Sequence, residues 1–349
     1  MSEAGTQIMD WEEALARVDA FVASHPEIEV STSGLGIPRK VREAFYSVLL
    51  NARRMLAISV ISDTDFAEKS IDALKDTRQR LMARLGIEAL ILPVALQAFI
   101  DDVYGGSSQV LIDAMLSYVQ GRLDVSDLHY QAAQTVPQAF FQLTMAAYEA
   151  SVAYSCIEIL EPVSVYTAEP ISDFSAGLVP AEVLEMGYQM FSPTMRLPEA
   201  VFETASGLIA FKFELVSEID FYNSRPKRRR DFSSGGDSHG VIGRRFALFY
   251  RMKKSKTIPV LAERDKGIML NPHVVIGTLG AKDLEIESYC QMTLKRMETL
   301  AAQNVAVIIA FDGFKGVEEL AGRPGAPAFD IVETEPDVSK LKQYIDMLT

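Results

Sequence analysis

Residues 207–222, GLIAFKFELVSEIDFY, alternate strictly: Leu208, Ala210, Lys212 and Glu214 against Ile209, Phe211, Phe213 and Leu215, followed by Glu218 and Asp220 against Ile219 and Phe221. Period two over that length is the pattern of a β-strand, and it is the clearest strand in the chain. Residues 241–252, VIGRRFALFYRM, read as a second strand and residues 257–262 as a third, entered through KKSK as a tight turn. The insert RPKRRRDFSSGGDSHG then becomes the loop of a long β-hairpin, with basic side chains at exposed strand ends and tips.

Working outward, the downstream chain switches to an α/β rhythm. Residues 273–276 read as a strand that meets the turn Gly277-Thr278-Leu279-Gly280, and a helix is expected over 282–302. Strands over 305–311 and 329–332, a short helix over 317–321 and a closing helix over 338–348 complete a parallel βαβ pattern.

Upstream, the punctuation is helical. Asp10 and Glu13 have the spacing of a capping box, and Trp11, Leu15, Val18 and Val22 recur at helical intervals up to His25-Pro26. Residues 27–36 read as a loop or short edge strand. Pro38 opens a helix striped by Val41, Phe45, Val48 and Leu49, and Ser62 with Asp65 starts another that Gly86 stops. The apolar run 89–100 contains Pro93, reads as a buried helix, and is about half a membrane span long. Further helices are expected over 93–104, 108–120, 126–135 and 137–159, broken at Gly105-Gly106, Gly121, Pro137 and Pro162. Short links of this kind give a bundle of neighbouring antiparallel helices. Phe140, Phe141, Met145, Tyr148 and Tyr154 read as its core. Five prolines between 162 and 198 loosen the pattern around a short helix over 181–190, and the division is set near Pro170. The expected architecture is therefore α+β: a helical domain, residues 1–170, followed by a mixed-sheet domain, residues 171–349, with an antiparallel hairpin and parallel βαβ strands.

Charge is unevenly distributed. Eleven of the 34 Lys and Arg fall in the stretch 225–256, against only Asp231 and Asp237, so that it carries a net +9; the remaining 23 basic residues face 45 acidic ones. A cationic segment on an anionic body implies a polyanion, or the acidic face of a neighbouring copy, as partner. Arg225, Lys227, Arg228, Arg229, Arg230, Arg244, Arg245, Arg251, Lys253, Lys254 and Lys256 are the candidate nucleic-acid contacts, each able to neutralise a phosphate, with Phe232, Phe246, Phe249 and Tyr250 interleaved as possible stacking surfaces. A solvated loop and a basic arm seated on an acidic subunit of a homo-oligomer are the competing readings. The overall charge of −13 excludes a protein that coats nucleic acid over a whole basic face.

The order of helix, three strands, helix and strand resembles the restriction-endonuclease-like core. That resemblance implies a Mg²⁺-dependent nuclease, with carboxylates drawn from Glu218, Asp220 or Asp237 and from Glu263, Asp265 and Lys266 in AERDKG. Glu263 and Lys266 are three residues apart, whereas one face of a strand needs a spacing of two. Gly277 and Gly280, before a helix, form a weak phosphate cradle that lacks the Walker and dinucleotide patterns. His25, His129, His239 and His273 are scattered, so no metal-ligand spacing is present and no cofactor is expected outside the nuclease alternative. Cys156 and Cys290 are expected as free thiols in the cytoplasm, and the N-terminal sequence lacks a signal-peptide pattern; no membrane partner is expected.

Overall fold

The computed structural model describes residues 10–32, 34–187, 195–215, 244–263, 266–280, 287–309, 331–333 and 338–348. The fold is α+β, and the chain forms two compact units. The first draws on the described residues of Met1–Glu68 and Val94–Thr144, and the second on those of Lys69–Pro93 and from Met145 onward.

The first unit is helical. Helix α1 (Trp11–Ser24) is followed by a two-stranded hairpin, β1 (Glu29–Ser31) and β2 (Gly34–Gly36), and by α2 (Arg39–Val60). Helix α3 (Asp65–Leu85) begins here and continues in the second unit. The expected capping box does not form, since the Asp10 side chain makes no cap hydrogen bond and Glu13 instead accepts from Arg17 one turn on, at 2.9 Å. Leu15 and Val18 of α1 share a core with Phe45, Leu49 and Leu56 of α2 and with Leu128, Ala132 and Val136 farther along the chain.

The run 89–100 is not one helix. It divides into β3 (Ala89–Ile91), which belongs to the second unit, and α4 (Val94–Asp101), with Pro93 at the break. Helices α5 (Val103–Ser107) and α6 (Ile112–Val119) follow, joined by a short 3₁₀ turn. Gly105-Gly106 lies inside α5 rather than ending a helix. A Cβ on Gly106 would stand 2.4 Å from the Phe99 backbone, so its missing side chain is what lets α5 fold back onto α4.

Pro137 does not divide the next helix. Helix α7 runs unbroken from Val125 to Ile159 with the proline inside it. Proline removes one N–H and frees the carbonyl four residues earlier. That carbonyl belongs to Ala133, an exposed residue, so water can take the place of the lost amide. Residues 143–157 are all buried, which is the signature of a helix enclosed on every side.

The second unit is built on a nine-stranded sheet ordered β11-β5-β4-β8-β9-β10-β14-β15-β16 among the described residues. The first strands are β4 (Ser164–Ser172) and β5 (Ser175–Pro180); β6 (Val183–Glu185) and β7 (Met195–Arg196) stand apart from the large sheet. The meander continues through β8 (Ala200–Thr204), β9 (Gly207–Leu215) and β10 (Arg245–Met252). The helix expected over 181–190 is replaced by β6, which pairs in parallel with β3.

The edge strand β11 (Thr257–Pro259) pairs with β5, not with β10, so KKSK is not a hairpin turn. Within a few residues the chain passes the end of the β8–β9 hairpin, where no strand blocks it. A Cβ on Gly207 would stand 3.3 Å from the Met252 carbonyl at that crossing. The small strands β12 (Ala262–Glu263) and β13 (Ile268–Met269) join β7 in a separate three-stranded sheet.

Strand β14 (Val274–Leu279), helix α8 (Glu287–Thr299) and strand β15 (Asn304–Ile309) form the expected parallel crossover, with β16 (Ile331–Glu333) beside β15 and helix α9 (Val338–Ile345) closing the described chain. One sheet face carries Leu208, Ala210, Phe246, Leu248, Tyr250 and Val275, covered by Met297 of α8. The other carries a ring cluster of Phe211 with Phe213 at 4.9 Å and Phe249 at 5.2 Å. Among the described residues no single helix is long and apolar enough to cross a membrane.

Replacing Pro137 with alanine restores an amide donor to Ala133 and relieves the clash of the ring with the preceding turn. We expect Pro137→Ala to raise stability by about 1–3 kcal/mol in denaturant unfolding.

Candidate functional site

Strand β10 is the root of the basic segment, and both of its neighbours hold it. It pairs antiparallel with β9 over its whole length, from Leu215 opposite Arg245 to Leu208 opposite Met252, and with β14 through Ala247–Ile276, Leu248–Val275 and Phe249–Val274. The described part of β9 thus ends at Leu215, opposite the start of β10 at Arg245. Arg225, Lys227, Arg228, Arg229, Arg230 and the acidic candidates Glu218, Asp220, Asp237 and Asp265 lie outside the described residues.

The remaining basic candidates divide into two groups. Arg251, Lys253, Lys254 and Lys256 are exposed at the far end of β10, a strand length of about 25 Å from its start. Lys254 forms an ion pair with Glu203, which also accepts a 2.8 Å hydrogen bond from the Tyr166 hydroxyl. Arg251 donates its backbone N–H to His273 Nδ1 at 3.1 Å. Burial, followed by the Arg251 charge, holds the His273 imidazole below its ordinary range.

Arg244 and Arg245 face carboxylates of the same unit. Arg244 Nε stands 2.8 Å from Glu149 Oε1 on α7, and Arg244 Nη2 donates to the Thr278 carbonyl at 2.6 Å. Thr278 in turn donates its hydroxyl to Glu149 Oε1 at 3.1 Å, and the Arg245 N–H reaches Glu149 Oε2 at 3.3 Å. Burial pushes the Glu149 carboxyl above its ordinary range, while the Arg244 and Arg245 guanidiniums and the two hydrogen bonds act against it. An ion pair this deep contributes little net attraction but is costly to break on one side only.

Arg245 belongs to a second buried set. Its guanidinium lies 6.0 Å from the centre of the Phe213 ring, and a Cβ on Gly187 would stand 2.5 Å from its Nη1, at a left-handed backbone position with φ +80°. The left-handed backbone angle is what favours glycine at 187. The Gly187 N–H donates to Glu199 Oε2 at 2.7 Å. Glu199 keeps some exposed stem, but its Oε1 is buried and has no hydrogen-bond partner among the described residues, as is true of the Tyr154 hydroxyl. Burial pushes the Glu199 carboxyl up to about 6, against the pull of Lys212, the Gly187 N–H and Arg245; Glu214 adds to the rise.

Lys212 and Glu214, the polar side of the alternating strand, are buried rather than in water, and Arg196 stands 3.7 Å from Glu214. Sequence reading missed this set. Its one visible signal was two opposite charges two residues apart on an otherwise apolar strand.

The remaining candidates are placed as follows. Glu263 is buried on β12, whereas Lys266 is exposed and pairs with Asp173 at 3.4 Å, so the two occupy different surroundings. Among the described residues no three His, Cys, Asp or Glu side chains are grouped so as to hold a metal ion. Gly277 lies inside β14 rather than in a turn: its backbone is in register with Val307, and a Cβ would press on Met297 and Phe246 at 3.1–3.2 Å. The strand continues through Leu279, so the turn expected at Gly277 is replaced by a strand position. Gly280 follows the strand end. Cys156 is a buried free thiol. Comparison with protein-family models, curated proteins and solved structures finds no match to this chain.

Two outcomes follow from the buried charges. Glu149→Ala leaves Arg244 without its carboxylate, and we expect a loss of about 3–5 kcal/mol in denaturant unfolding. For Glu199 the sign is set by a raised carboxyl. Between 4.5, its ordinary value, and about 6 the folded protein holds the proton more tightly than the unfolded chain, so stability falls as pH rises through that window. The stability of the wild type minus that of Glu199→Gln is expected to drop by about 2 kcal/mol across it, measured by unfolding at stepped pH.

Proposed function

We propose that the protein binds nucleic acid through the basic segment 225–256, as a non-catalytic binding or assembly component. The observation that carries this reading is the partition of charge, +9 on 32 residues against −22 on the remainder. The anchoring of the described part of that segment supports it: β10 is paired on both sides and Arg244 is tied to Glu149. Since Arg244 and Arg245 face internal carboxylates, the contacts are assigned to Arg225, Lys227, Arg228, Arg229 and Arg230, with Arg251, Lys253, Lys254 and Lys256 as a separate outlying group. The acidic body would confine a bound strand to this side of the molecule by repulsion. We place this activity in the cytoplasm, where a buried thiol such as Cys156 stays reduced.

The test is a mobility shift against labelled duplex and single-stranded DNA and RNA over a range of salt, with and without Mg²⁺. Converting Lys227, Arg228, Arg229 and Arg230 together to alanine is expected to weaken binding and flatten the logarithmic salt slope by up to about 4 on duplex DNA, at roughly 0.9 per lost contact. Unchanged affinity and slope in that variant would remove the segment as the contact surface. Metal-dependent cutting abolished by Glu263→Ala would replace binding with the nuclease reading. Absence of any shift, with a salt-dependent mass in light scattering, would favour a basic arm seated on a neighbouring copy.

A further inference from the structure

Helix α2 of the helical unit buries a charge that no carboxylate holds. Arg53 keeps only 7 % of its surface exposed, and its neighbours along the helix, Ala52, Leu56 and Ala57, are fully enclosed. Among the described residues its guanidinium makes one hydrogen bond, a long one from Nη2 to the Gly105 carbonyl at 3.3 Å, while Nε is enclosed without a partner. The carbonyl does not depend on the arginine, since the Ser108 hydroxyl already donates to it at 2.9 Å. The nearby carboxylate is committed elsewhere: Asp102 Oδ2 accepts from Arg54 Nε at 2.9 Å, in a pair that stands at the surface. Two guanidiniums from successive residues of α2 thus meet one turn, 102–105, that answers them with a single carboxylate and leaves one positive charge over. A buried cation without a counter-charge is costly, and a ligand of opposite charge removes that cost.

We propose that Arg53, with the more exposed Arg54 beside it, is a binding site for one small oxyanion of the phosphate class where α4 meets α5. The planar guanidinium fork matches the spacing of phosphate oxygens, and the anion completes the donors that the protein leaves open on Arg53. The narrow exposure of Arg53 sets the size of the ligand. Free phosphate, or the terminal phosphate of a small metabolite, can approach an arginine enclosed to this degree, whereas the backbone of a nucleic-acid strand is too bulky. The site lies on a different unit from the basic segment 225–256 and does not rest on the nucleic-acid reading.

The test is equilibrium dialysis of the full chain against labelled inorganic phosphate at constant ionic strength in chloride, with thermal unfolding alongside. The wild type is expected to retain about one phosphate per chain, and about a hundredfold excess over Kd should raise its unfolding midpoint by about 5 °C. Arg53→Lys keeps the charge but loses the fork, and is expected to bind about tenfold more weakly. Arg53→Met keeps the bulk without the charge; it should bind no phosphate at this site, show no phosphate-dependent shift, and unfold in chloride no earlier than the wild type. The variant with Lys227, Arg228, Arg229 and Arg230 changed to alanine should bind phosphate as the wild type does.

Absence of retained phosphate in the wild type would overturn the proposal without recourse to any variant. Retention unchanged in Arg53→Lys and Arg53→Met would overturn it too, as would retention lost only in the fourfold alanine variant, which would place the anion on the basic segment. If Arg53→Met folds poorly, the arginine is needed as a structural cap, and the proposal then stands or falls on the wild type and Arg53→Lys. Competition separates the sources: displacement of labelled phosphate by adenosine monophosphate supports a metabolite's terminal phosphate, and displacement by unlabelled phosphate alone supports the free ion. Displacement by duplex DNA from the fourfold alanine variant would overturn the assignment to a small anion.

Discussion

The second unit depends on the pairing of β10 with both β9 and β14. All eight residues of β10 pair with β9, three of them, Ala247, Leu248 and Phe249, also pair with β14, and the side chains of the strand reach both faces of the sheet. Phe246, Leu248 and Tyr250 enter the layer under α8, while Phe249 joins the Phe211 and Phe213 rings on the other side. Each buried aromatic removes 150–250 Å² of largely apolar surface from water, at about 25 cal/mol per Å². That gain fixes the register, since a slip of one residue would put every inward ring on the wrong face. It also sets where Arg244 and Arg245 must be, immediately before the strand and at its first position.

Charge burial follows from that constraint. With β10 fixed, Arg244 meets α7 at Glu149, and a carboxylate enclosed there is tolerable only because Thr278, the Arg245 amide and the guanidinium itself supply donors. Burial also pushes the Glu199 carboxyl upward, and beyond the Gly187 amide on Oε2 its Oε1 has no hydrogen-bond partner among the described residues. The same strand therefore lies beside one enclosed ion pair and one enclosed carboxylate that accepts a hydrogen bond from the Gly187 amide.

Much of the architecture was legible in the sequence, for identifiable reasons. The alternation over 207–215 and the run FALFYRM declare β9 and β10 because period two and aromatic enrichment leave few alternatives, and the apolar blocks around the α8 crossover do the same for β14 and β15. Pro137 misled because local rules treat proline as a break, whereas α7 is enclosed by tertiary packing along most of its second half and loses only a solvent-side hydrogen bond. The edge pairing of β11 with β5 was invisible because nothing in KKSK distinguishes a hairpin turn from a crossing over the end of a shorter hairpin. Gly277 read as a turn residue, yet it is a strand position whose side chain is excluded by Met297 and Phe246. For the candidate site, sequence charge counts marked the segment but could not separate Arg244 and Arg245, which face inward, from Arg251 and Lys253, which do not. That separation depends on partners far away in sequence, Glu149 and Glu199, which only the folded sheet brings near.

The central claim is that cationic density rooted on β10 is the surface that meets nucleic acid. Photo-cross-linking of the whole protein to a labelled strand, followed by mass spectrometry of the adducts, tests it most directly. The account predicts adducts concentrated in the peptides between β9 and β10, with a weaker set over residues 251–256. Adducts confined to the helical first unit, or spread over the chain without enrichment, would contradict it.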